Sequence, residues 1–182
     1  GTILSLQGGA DHEFLVNSFS KYFGMTGWRV GWLVSPRAAI PAIEKLAQNA
    51  YIAPSTVGQH AALAALAPEV MPRHEARRLA YFRARNRLVT GLRALGFSVP
   101  VVPEGAFYVY ATLPPEQPDS EAFCRALLER AAVAATPGTD FGVQEAARSV
   151  RFSYTAPLAD LEEALSRLEA FLAGRPVATR GA

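Results

Sequence analysis

The chain contains little of what would assign it to a specialised class of protein. A single cysteine, Cys124, excludes an internal disulfide framework and fits a reducing cytoplasm. Charged residues make up 19% of the 182 residues and the net charge is +2, which indicates neither a disordered chain nor a strongly basic nucleic-acid binder. No apolar run is long enough to span a bilayer, and residues 1–14 lack the pattern of a signal peptide. We therefore expect a soluble, cytoplasmic globular protein.

Lysine is also scarce, and its scarcity draws attention to one position. Of the 18 basic residues, 16 are arginine and only Lys21 and Lys45 are lysine. Lysine differs from arginine in that its amine can lose a proton and attack a carbonyl to form a Schiff base. Lys45 lies in a helical pattern beside Glu44 and is interpreted as an ordinary solvated side chain. Lys21 therefore requires its own explanation.

Strand and helix patterns alternate along the chain, which predicts α/β or α+β layers. Short apolar runs predict strands at residues 13–19, 28–35, 97–102, 106–113, 132–138 and 149–155. The strands at 97–102 and 106–113 are expected to pair across Pro-Glu-Gly. Apolar residues at helical spacing predict helices at residues 36–50, 55–66, 69–95, 119–131 and 158–174.

The sequence also predicts the apolar faces of two of these helices and where several of the helices begin and end. The 36–50 helix is expected to present Ile40, Ile43, Leu46 and Ala47 on one apolar face, with Pro41 in its first turns. The 69–95 helix is expected to present Leu79, Phe82, Val89 and Leu92, and to stop at Gly96. Expected N-terminal caps are Thr56 with Gln59 at capping-box spacing, and Asp119 or Ser120.

The residues around Lys21 suggest a phosphate site. Ser18 and Ser20 precede it directly after a predicted strand, and Arg29 lies eight residues further on. Two hydroxyls and a guanidinium on a glycine-containing turn can hold a phosphate by charge-assisted hydrogen bonds. A phosphate anchor beside a nucleophilic amine suits a phosphate-tailed aldehyde, and pyridoxal 5′-phosphate is such a cofactor. The alternative is a surface lysine with Arg29 in an ion pair at a strand end.

A longer pattern resembles a known family. Ser18-Phe19-Ser20-Lys21, then Gly24-Met25 and Gly27-Trp28-Arg29-Val30-Gly31, is similar to the cofactor-lysine signature of the class I/II aminotransferases, which are fold-type-I pyridoxal-phosphate enzymes. Further segments that resemble this family are GQHAALAAL (58–66), EGAFYVYATLP (104–114), TPGTDFG (136–142) and VRFSYT (150–155). Together the matching segments span about residues 13–173.

The resemblance implies a role for several residues. Lys21 would hold the cofactor through its amine and then move the substrate α-proton. Ser18, Ser20 and Arg29 would bind the cofactor phosphate. Arg151 would grip the substrate α-carboxylate, the alternative being a structural ion pair inside an apolar strand. Tyr108, or Phe107 beside it, would line the substrate pocket. The substrates implied are an amino acid and a 2-oxo acid, and the implied assembly is a homodimer.

The resemblance also implies an α/β fold that is only the C-terminal part of a fold-type-I enzyme. We expect residues 1–68 to be a remnant of the large domain with the end of its α/β sheet, 69–95 a connecting helix, 96–174 an α+β small domain and 175–182 a frayed tail. The family's ring-stacking aromatic and its acidic partner of the pyridine nitrogen have no counterpart before Lys21, since Asp11 and His12 are too close to it. We expect the front half of the parent to be missing and the chain alone to be inactive.

Other functions stay open at this stage. One is a different pyridoxal-phosphate reaction, such as a C–S lyase or decarboxylase reaction, although Arg151 argues against loss of the carboxylate. Another is a non-catalytic module for regulation or dimerisation. Seven arginines in the 69–95 helix could form a nucleic-acid face, but we interpret them as a solvated surface. The three histidines lack metal-ligand spacing, and Cys124 is expected to be a small core residue.

Overall fold

A computed structural model describes residues 12–117 and 119–177, so Asp11 and most of the predicted tail lie outside the described residues. The chain divides into two compact units, Gly1–Arg78 and Leu79–Ala182. The partition into four segments stays a prediction. The strands are β1 (Leu15–Ser18), β2 (Gly31–Val34), β3 (Tyr108–Thr112), β4 (Thr136–Pro137) and β5 (Ser149–Ser153). The helices are α1 (Ile40–Ala50), α2 (Thr56–Ala65), α3 (Met71–Ala94), α4 (Ser120–Ala131) and α5 (Leu158–Leu172).

In the first unit, an antiparallel hairpin holds the motif around Lys21. Strand β1 pairs with β2 so that Leu15 lies opposite Val34 and Ser18 opposite Gly31. Strand β2 is shorter than the predicted 28–35 because the chain forms a 3-10 turn over Thr26–Trp28 and then adopts a left-handed conformation at Arg29. The signature residues between the strands are therefore in turns, where side chains can converge on a ligand.

The helices of the first unit form as predicted, but two details differ. No residue of α1 is buried, and Leu46 of its predicted apolar face is 71% exposed. The cap of α2 is Ser55 rather than Thr56, since its Oγ accepts a hydrogen bond from Gly58 N at 3.2 Å. Glycine at that third position has no side chain to return the bond, so the predicted capping box is absent. A small buried cluster comprises Phe19, Met25, Ala62 and Ala65.

Helix α3 is close to its predicted length, and Gly96 follows it with the left-handed φ of +88° expected of a C-terminal cap. Its buried apolar residues are Ala84, Leu88, Val89 and Leu92. The prediction for Val89 and Leu92 is therefore confirmed, whereas Leu79 and Phe82 are 44% and 47% exposed. The guanidinium of Arg85 lies above the Phe82 ring, with its Cζ 4.4 Å from the ring centroid.

The arginines of α3 are not simply a solvated surface. Three of them donate to backbone carbonyls of other segments: Arg77 to Tyr22 at 2.6 Å, Arg85 to Pro103 at 2.8 Å and Arg93 to Val99 at 2.8 Å. A guanidinium suits this use because it offers several donors in a rigid plane at the end of a long side chain. These side chains fasten irregular chain segments to the helix.

The second unit is an α+β layer with a three-stranded antiparallel sheet in the order β3-β5-β4. Tyr110 lies opposite Arg151 in the pairing of β3 with β5. The predicted hairpin of 97–102 with 106–113 is wrong, since Ser98 and Thr112 form only an isolated bridge. Pro100 and Pro103 have no N–H to donate, so this segment cannot extend the ladder.

Helices α4 and α5 complete the hydrophobic core of this unit. Its fully buried side chains include Leu92, Val109, Phe123, Leu127, Val150 and Leu168. The predicted cap at Asp119 is confirmed, because its carboxylate accepts from Ala122 N at 2.8 Å. Cys124 is buried in this core as expected, and burial raises the pKa of its thiol to about 11.

The mixed α/β architecture predicted from the sequence is confirmed. Within the part of the chain that the structure describes, no helix combines the length and apolarity needed to cross a membrane. Within that same part, no group of three or more His, Cys, Asp or Glu residues is arranged to hold a metal ion.

Candidate active site

Two serine hydroxyls meet where strand β1 ends. Ser18 is the last residue of β1, and its Oγ donates to Ser20 Oγ at 2.9 Å. The backbone N–H of Ser20 donates back to Ser18 Oγ at 3.0 Å. This local turn is typical of serine, which binds backbone groups two residues away. Its result is a pair of adjacent hydroxyls immediately before Lys21.

Thr26 connects the serine turn to Arg29. Thr26 Oγ1 donates to the backbone carbonyl of Ser20 at 2.7 Å, and the Thr26 carbonyl accepts from Arg29 Nη1 at 3.0 Å. Arg29 itself has left-handed backbone angles, φ 54° and ψ 47°. For an arginine this conformation is unusual, and such residues cluster at functional sites. Thr26 lies inside the signature, but no role was predicted for it.

Lys21 is exposed at the start of a tight turn. The Lys21 carbonyl accepts a hydrogen bond from Gly24 N at 3.0 Å, and the Phe19 carbonyl accepts one from Met25 N at 3.2 Å. Phe19 and Met25 are buried on either side of the lysine. The turn is thus anchored by two buried apolar residues while the lysine itself is exposed.

The donors around Lys21 suit a phosphate group. They comprise two hydroxyls, Ser18 and Ser20, and the guanidinium of Arg29, which Thr26 links to the same turn. Ser18 and Arg29 are exposed, so their donors can be reached from solvent. Hydroxyl and guanidinium hydrogen bonds are the usual partners of phosphate oxygens. The chemistry of this donor set therefore fits a phosphate-tailed cofactor.

Arg151, in the second unit, contacts two aromatic rings. Its Cζ lies 4.1 Å from the ring centroid of Tyr108 and 4.2 Å from that of Phe141. Its Nη2 lies 3.5 Å from Thr136 Oγ1, a long hydrogen bond. None of the ion pairs found among residues 12–117 and 119–177 includes Arg151, so the alternative of a structural ion pair has no support there.

Phe141 and Thr136 contact Arg151, although neither was among the predicted site residues. Both lie in the segment TPGTDFG, whose resemblance was noted but whose side chains received no role. Strand β4 places Thr136 opposite Arg151, and the 3-10 turn Gly138–Asp140 brings Phe141 over the guanidinium. The predicted residue Tyr108 is in contact with Arg151, and Phe107 packs on Tyr108 with ring centroids 4.3 Å apart.

Comparison with known proteins identifies the family. Residues 2–168 match the family described as aminotransferase class I and II. The valine–pyruvate aminotransferase of Mycobacterium tuberculosis is 41% identical over 158 residues, which are 87% of this chain and 41% of that protein. The aspartate/prephenate aminotransferase of Thermus thermophilus is 40% identical over 159 residues, 86% of this chain and 40% of that protein.

Solved structures agree with this match. An aminotransferase from Mycobacterium tuberculosis superposes with a TM-score of 0.84 at 38% identity, covering 93% of this chain and 46% of that one. The aromatic aminotransferase from Pyrococcus horikoshii superposes with a TM-score of 0.87 at 34% identity, covering 95% of this chain and 46% of that one. This chain therefore has the aminotransferase fold over most of its own length. This chain belongs to the class I and II aminotransferases, and it spans about two fifths of the length of the curated relatives it matches.

Proposed function

We propose that this chain is the part of an aminotransferase that carries the lysine and the phosphate donors for pyridoxal 5′-phosphate. The observation that carries the proposal is the turn in which Ser18 and Ser20, with their hydroxyls hydrogen-bonded to each other, directly precede Lys21 in the chain, and in which Thr26 links Ser20 to Arg29. Membership of the class I and II aminotransferases supports the same cofactor.

In this proposal each residue of the turn has a separate task. Ser18, Ser20 and Arg29 bind the phosphate, because hydroxyl and guanidinium donors neutralise its oxygens while fixing the cofactor's position. Lys21 Nζ would hold the cofactor aldehyde covalently, with loss of water, until the amine of the substrate displaces it, and the freed Nζ would then accept the α-proton of the substrate. The cofactor, when bound, would supply an electron sink for the negative charge left on the substrate when this proton leaves.

Arg151 is proposed to bind the α-carboxylate of the amino acid or 2-oxo acid. Its N–H groups lie in the guanidinium plane, and a carboxylate can accept two of them side by side. Tyr108 and Phe141 contact the guanidinium through their rings, which have no strong acceptor to compete with a carboxylate. Tyr108 would in addition form part of the substrate pocket.

Covalent trapping tests the assignment of Lys21. The chain is incubated with pyridoxal 5′-phosphate and then borohydride, which fixes the pyridoxyl group on whichever amine has condensed with it. Since Lys21 and Lys45 are the only lysines, peptide mass mapping compares them directly. We expect label on Lys21 well above Lys45, and Ser18→Ala and Arg29→Gln should lower it by weakening the phosphate site. Equal labelling of the two lysines would refute the assignment.

The carboxylate site has its own test. With arginine side-chain nitrogens labelled for NMR, pyruvate is expected to shift the Arg151 Nε–H resonance in a saturable manner, and chloride at equal ionic strength is not. Arg125→Gln, which alters an exposed residue of α4, is the control and should leave the titration unchanged. An Arg151 resonance that responds equally to pyruvate and chloride would contradict the assignment.

The transaminase activity, its substrates and a homodimeric assembly are proposed for the whole protein, and a cytoplasmic location stays a prediction. We further propose that the 182 residues alone do not catalyse transamination. A coupled assay of 2-oxo acid formation on the purified chain tests this, and measurable turnover that disappears in Lys21→Ala would refute it.

A further inference from the structure

Tyr22, the residue that follows Lys21, is held by α3 through both its side chain and its backbone. Its phenol donates to Glu75 Oε1 at 2.6 Å. Its backbone carbonyl accepts from Arg77 Nη2, also at 2.6 Å. Glu75 and Arg77 lie 53 and 55 residues after Tyr22 in the chain, so no local sequence pattern predicts these contacts. The peptide adjoining the lysine is therefore attached to a long helix at two points.

His74 fixes the guanidinium that makes the second contact. This histidine is only 5% exposed, its Nδ1 lies 3.0 Å from Arg77 Nη2, and its Nε2 lies 3.0 Å from the Ala65 carbonyl. Arginine has donors only, so Nδ1 must accept, and the carbonyl requires a donor at Nε2. The neutral tautomer with its proton on Nε2 satisfies both bonds. His74 thereby joins the end of α2 to Arg77.

The turn after Lys21 also packs closely on Arg77. A Cβ added to Gly24 would lie 3.0 Å from Arg77 Nη1, and the Gly24 N–H donates to the Lys21 carbonyl. Close to Tyr22, the rings of Phe23 and His74 pack nearly at right angles, with their centroids 5.3 Å apart. The guanidinium thus contacts the turn on the carbonyl side of Tyr22 and again at Gly24.

The contact between Tyr22 and Glu75 is charge-assisted. The Tyr22 hydrogen bond, followed by that of Arg78, lowers the pKa of Glu75, so its carboxylate is ionised at neutral pH. Hydrogen bonds to an ionised acceptor are stronger than neutral ones. Arg78 Nε donates to the other carboxylate oxygen at 2.8 Å and so orients the acceptor.

We propose that Tyr22, Glu75 and Arg77, which we call the Tyr22 clamp, are positioning residues for Lys21. The clamp fixes the peptide after the lysine, so that the Lys21 side chain starts from a constant place on the turn that also carries Ser18 and Ser20. A lysine on an unfastened turn would sample many positions, and its reaction with a phosphate-anchored aldehyde would slow accordingly. The inference rests on the proposed cofactor site and adds to it the residues that hold the lysine's backbone.

Three variants test the clamp. Tyr22→Phe removes the bond to Glu75 but keeps the ring, and Arg77→Gln removes the bond to the Tyr22 carbonyl. Arg73→Gln is the matched control, because Arg73 is an exposed residue of the same helix outside the clamp. Two measurements are made on the full chain: amide hydrogen exchange of peptides covering residues 22–25, without cofactor, and the rate of borohydride trapping of pyridoxal 5′-phosphate at Lys21 relative to Lys45.

Loss of one such bond should speed exchange of these amides by about threefold to tenfold. We expect the trapping rate at Lys21 to fall by a similar factor in Tyr22→Phe and Arg77→Gln, with no change in Arg73→Gln. Glu75→Gln keeps an amide oxygen that can accept from Tyr22, so it should retain more of the trapping rate than Glu75→Ala. Exchange of α2 peptides, which lie in the same unit as the clamp, shows whether each variant is folded. If Arg77→Gln does not fold, Tyr22→Phe alone decides the test.

Different outcomes distinguish this inference from the proposed function. Selective trapping at Lys21 that is unchanged in Tyr22→Phe would overturn the clamp and leave the cofactor site standing. Trapping that does not distinguish Lys21 from Lys45 in the unaltered chain would overturn the cofactor site and the clamp's role with it. Faster exchange without slower trapping would also overturn the role, because the clamp would then serve only the fold.

Discussion

Gly138→Ala is expected to disturb the loop that brings Phe141 to Arg151. A Cβ at this position would lie 2.5 Å from the Ala146 carbonyl oxygen, 2.8 Å from the Ser149 carbonyl oxygen and 2.6 Å from Tyr110 Oη. Two of the three neighbours are backbone atoms, which cannot rotate away as a side chain can. Restoring an ordinary contact of 3.4 Å would require the loop to move by about 0.9 Å.

The cost follows from this overlap. Forcing an extra carbon into a closely packed site typically destabilises by about 1–3 kcal/mol. With a urea dependence of about 2 kcal/mol per molar, the midpoint of unfolding should fall by about 1 M. The Phe141 N–H donates to the Gly138 carbonyl at 2.9 Å, so displacement of Gly138 also moves the ring that contacts Arg151. The pyruvate titration of Arg151 should weaken in the same variant.

The assay is urea unfolding followed by circular dichroism, with Gly142→Ala as the control. Gly142 lies four residues further along the same loop, and a Cβ there would meet no atom within 4 Å. Its replacement should leave the midpoint unchanged or raise it slightly, because alanine reduces the freedom of the unfolded chain. Equal midpoints for the two variants would show that the loop accommodates the Cβ and would refute the reasoning.

Three further predictions concern the second unit. Leu127→Ala empties a position that is 0% exposed and should cost about 2–5 kcal/mol in the free energy of unfolding, whereas Leu128→Ala, at a position 56% exposed, should cost far less in the same urea titrations. Asp119→Ala removes the α4 cap and should cost about 1 kcal/mol, with exposed Glu129→Ala as its control; equal effects of the two would contradict the cap. Burial raises the pKa of Cys124 to about 11, so the folded chain keeps its thiol proton to higher pH than the unfolded chain, and its stability should fall as the pH rises from about 9.0 toward about 11. Cys124→Ala should remove that part of the pH dependence, and a thiol reagent at pH 8 should modify Cys124 only on unfolding.

Much of the fold could be predicted from short-range signals in the sequence. Helices α1 to α5 were predicted because apolar spacing, Gly96 and the cap at Asp119 are all short-range signals. The 97–102 strand was predicted wrongly because its apolar run outweighed Pro100 and Pro103, which prevent a ladder. The face of α3 was half wrong because helical spacing defines several neighbouring stripes, and only the packing of other elements selects the buried one.

The candidate site divides in the same way. The sequence by itself determined the signature around Lys21, because serine, lysine, glycine and arginine at those spacings build a turn whose chemistry is local. It also determined the family, which the comparisons confirm. The chain has only two lysines, and Lys45 lies in a helical pattern beside Glu44, so Lys21 stands out from composition and local context together.

Only the tertiary structure decided which distant side chains complete these turns. Tyr22 contacts Glu75 and Arg77, 53 and 55 residues away, because helix packing brings them together. Phe141 contacts Arg151 because the turn after β4 places its ring over the neighbouring strand. A hydrogen bond or ring contact of this kind depends on distances of a few ångströms, and such distances are set by the packed core rather than by local residue preference.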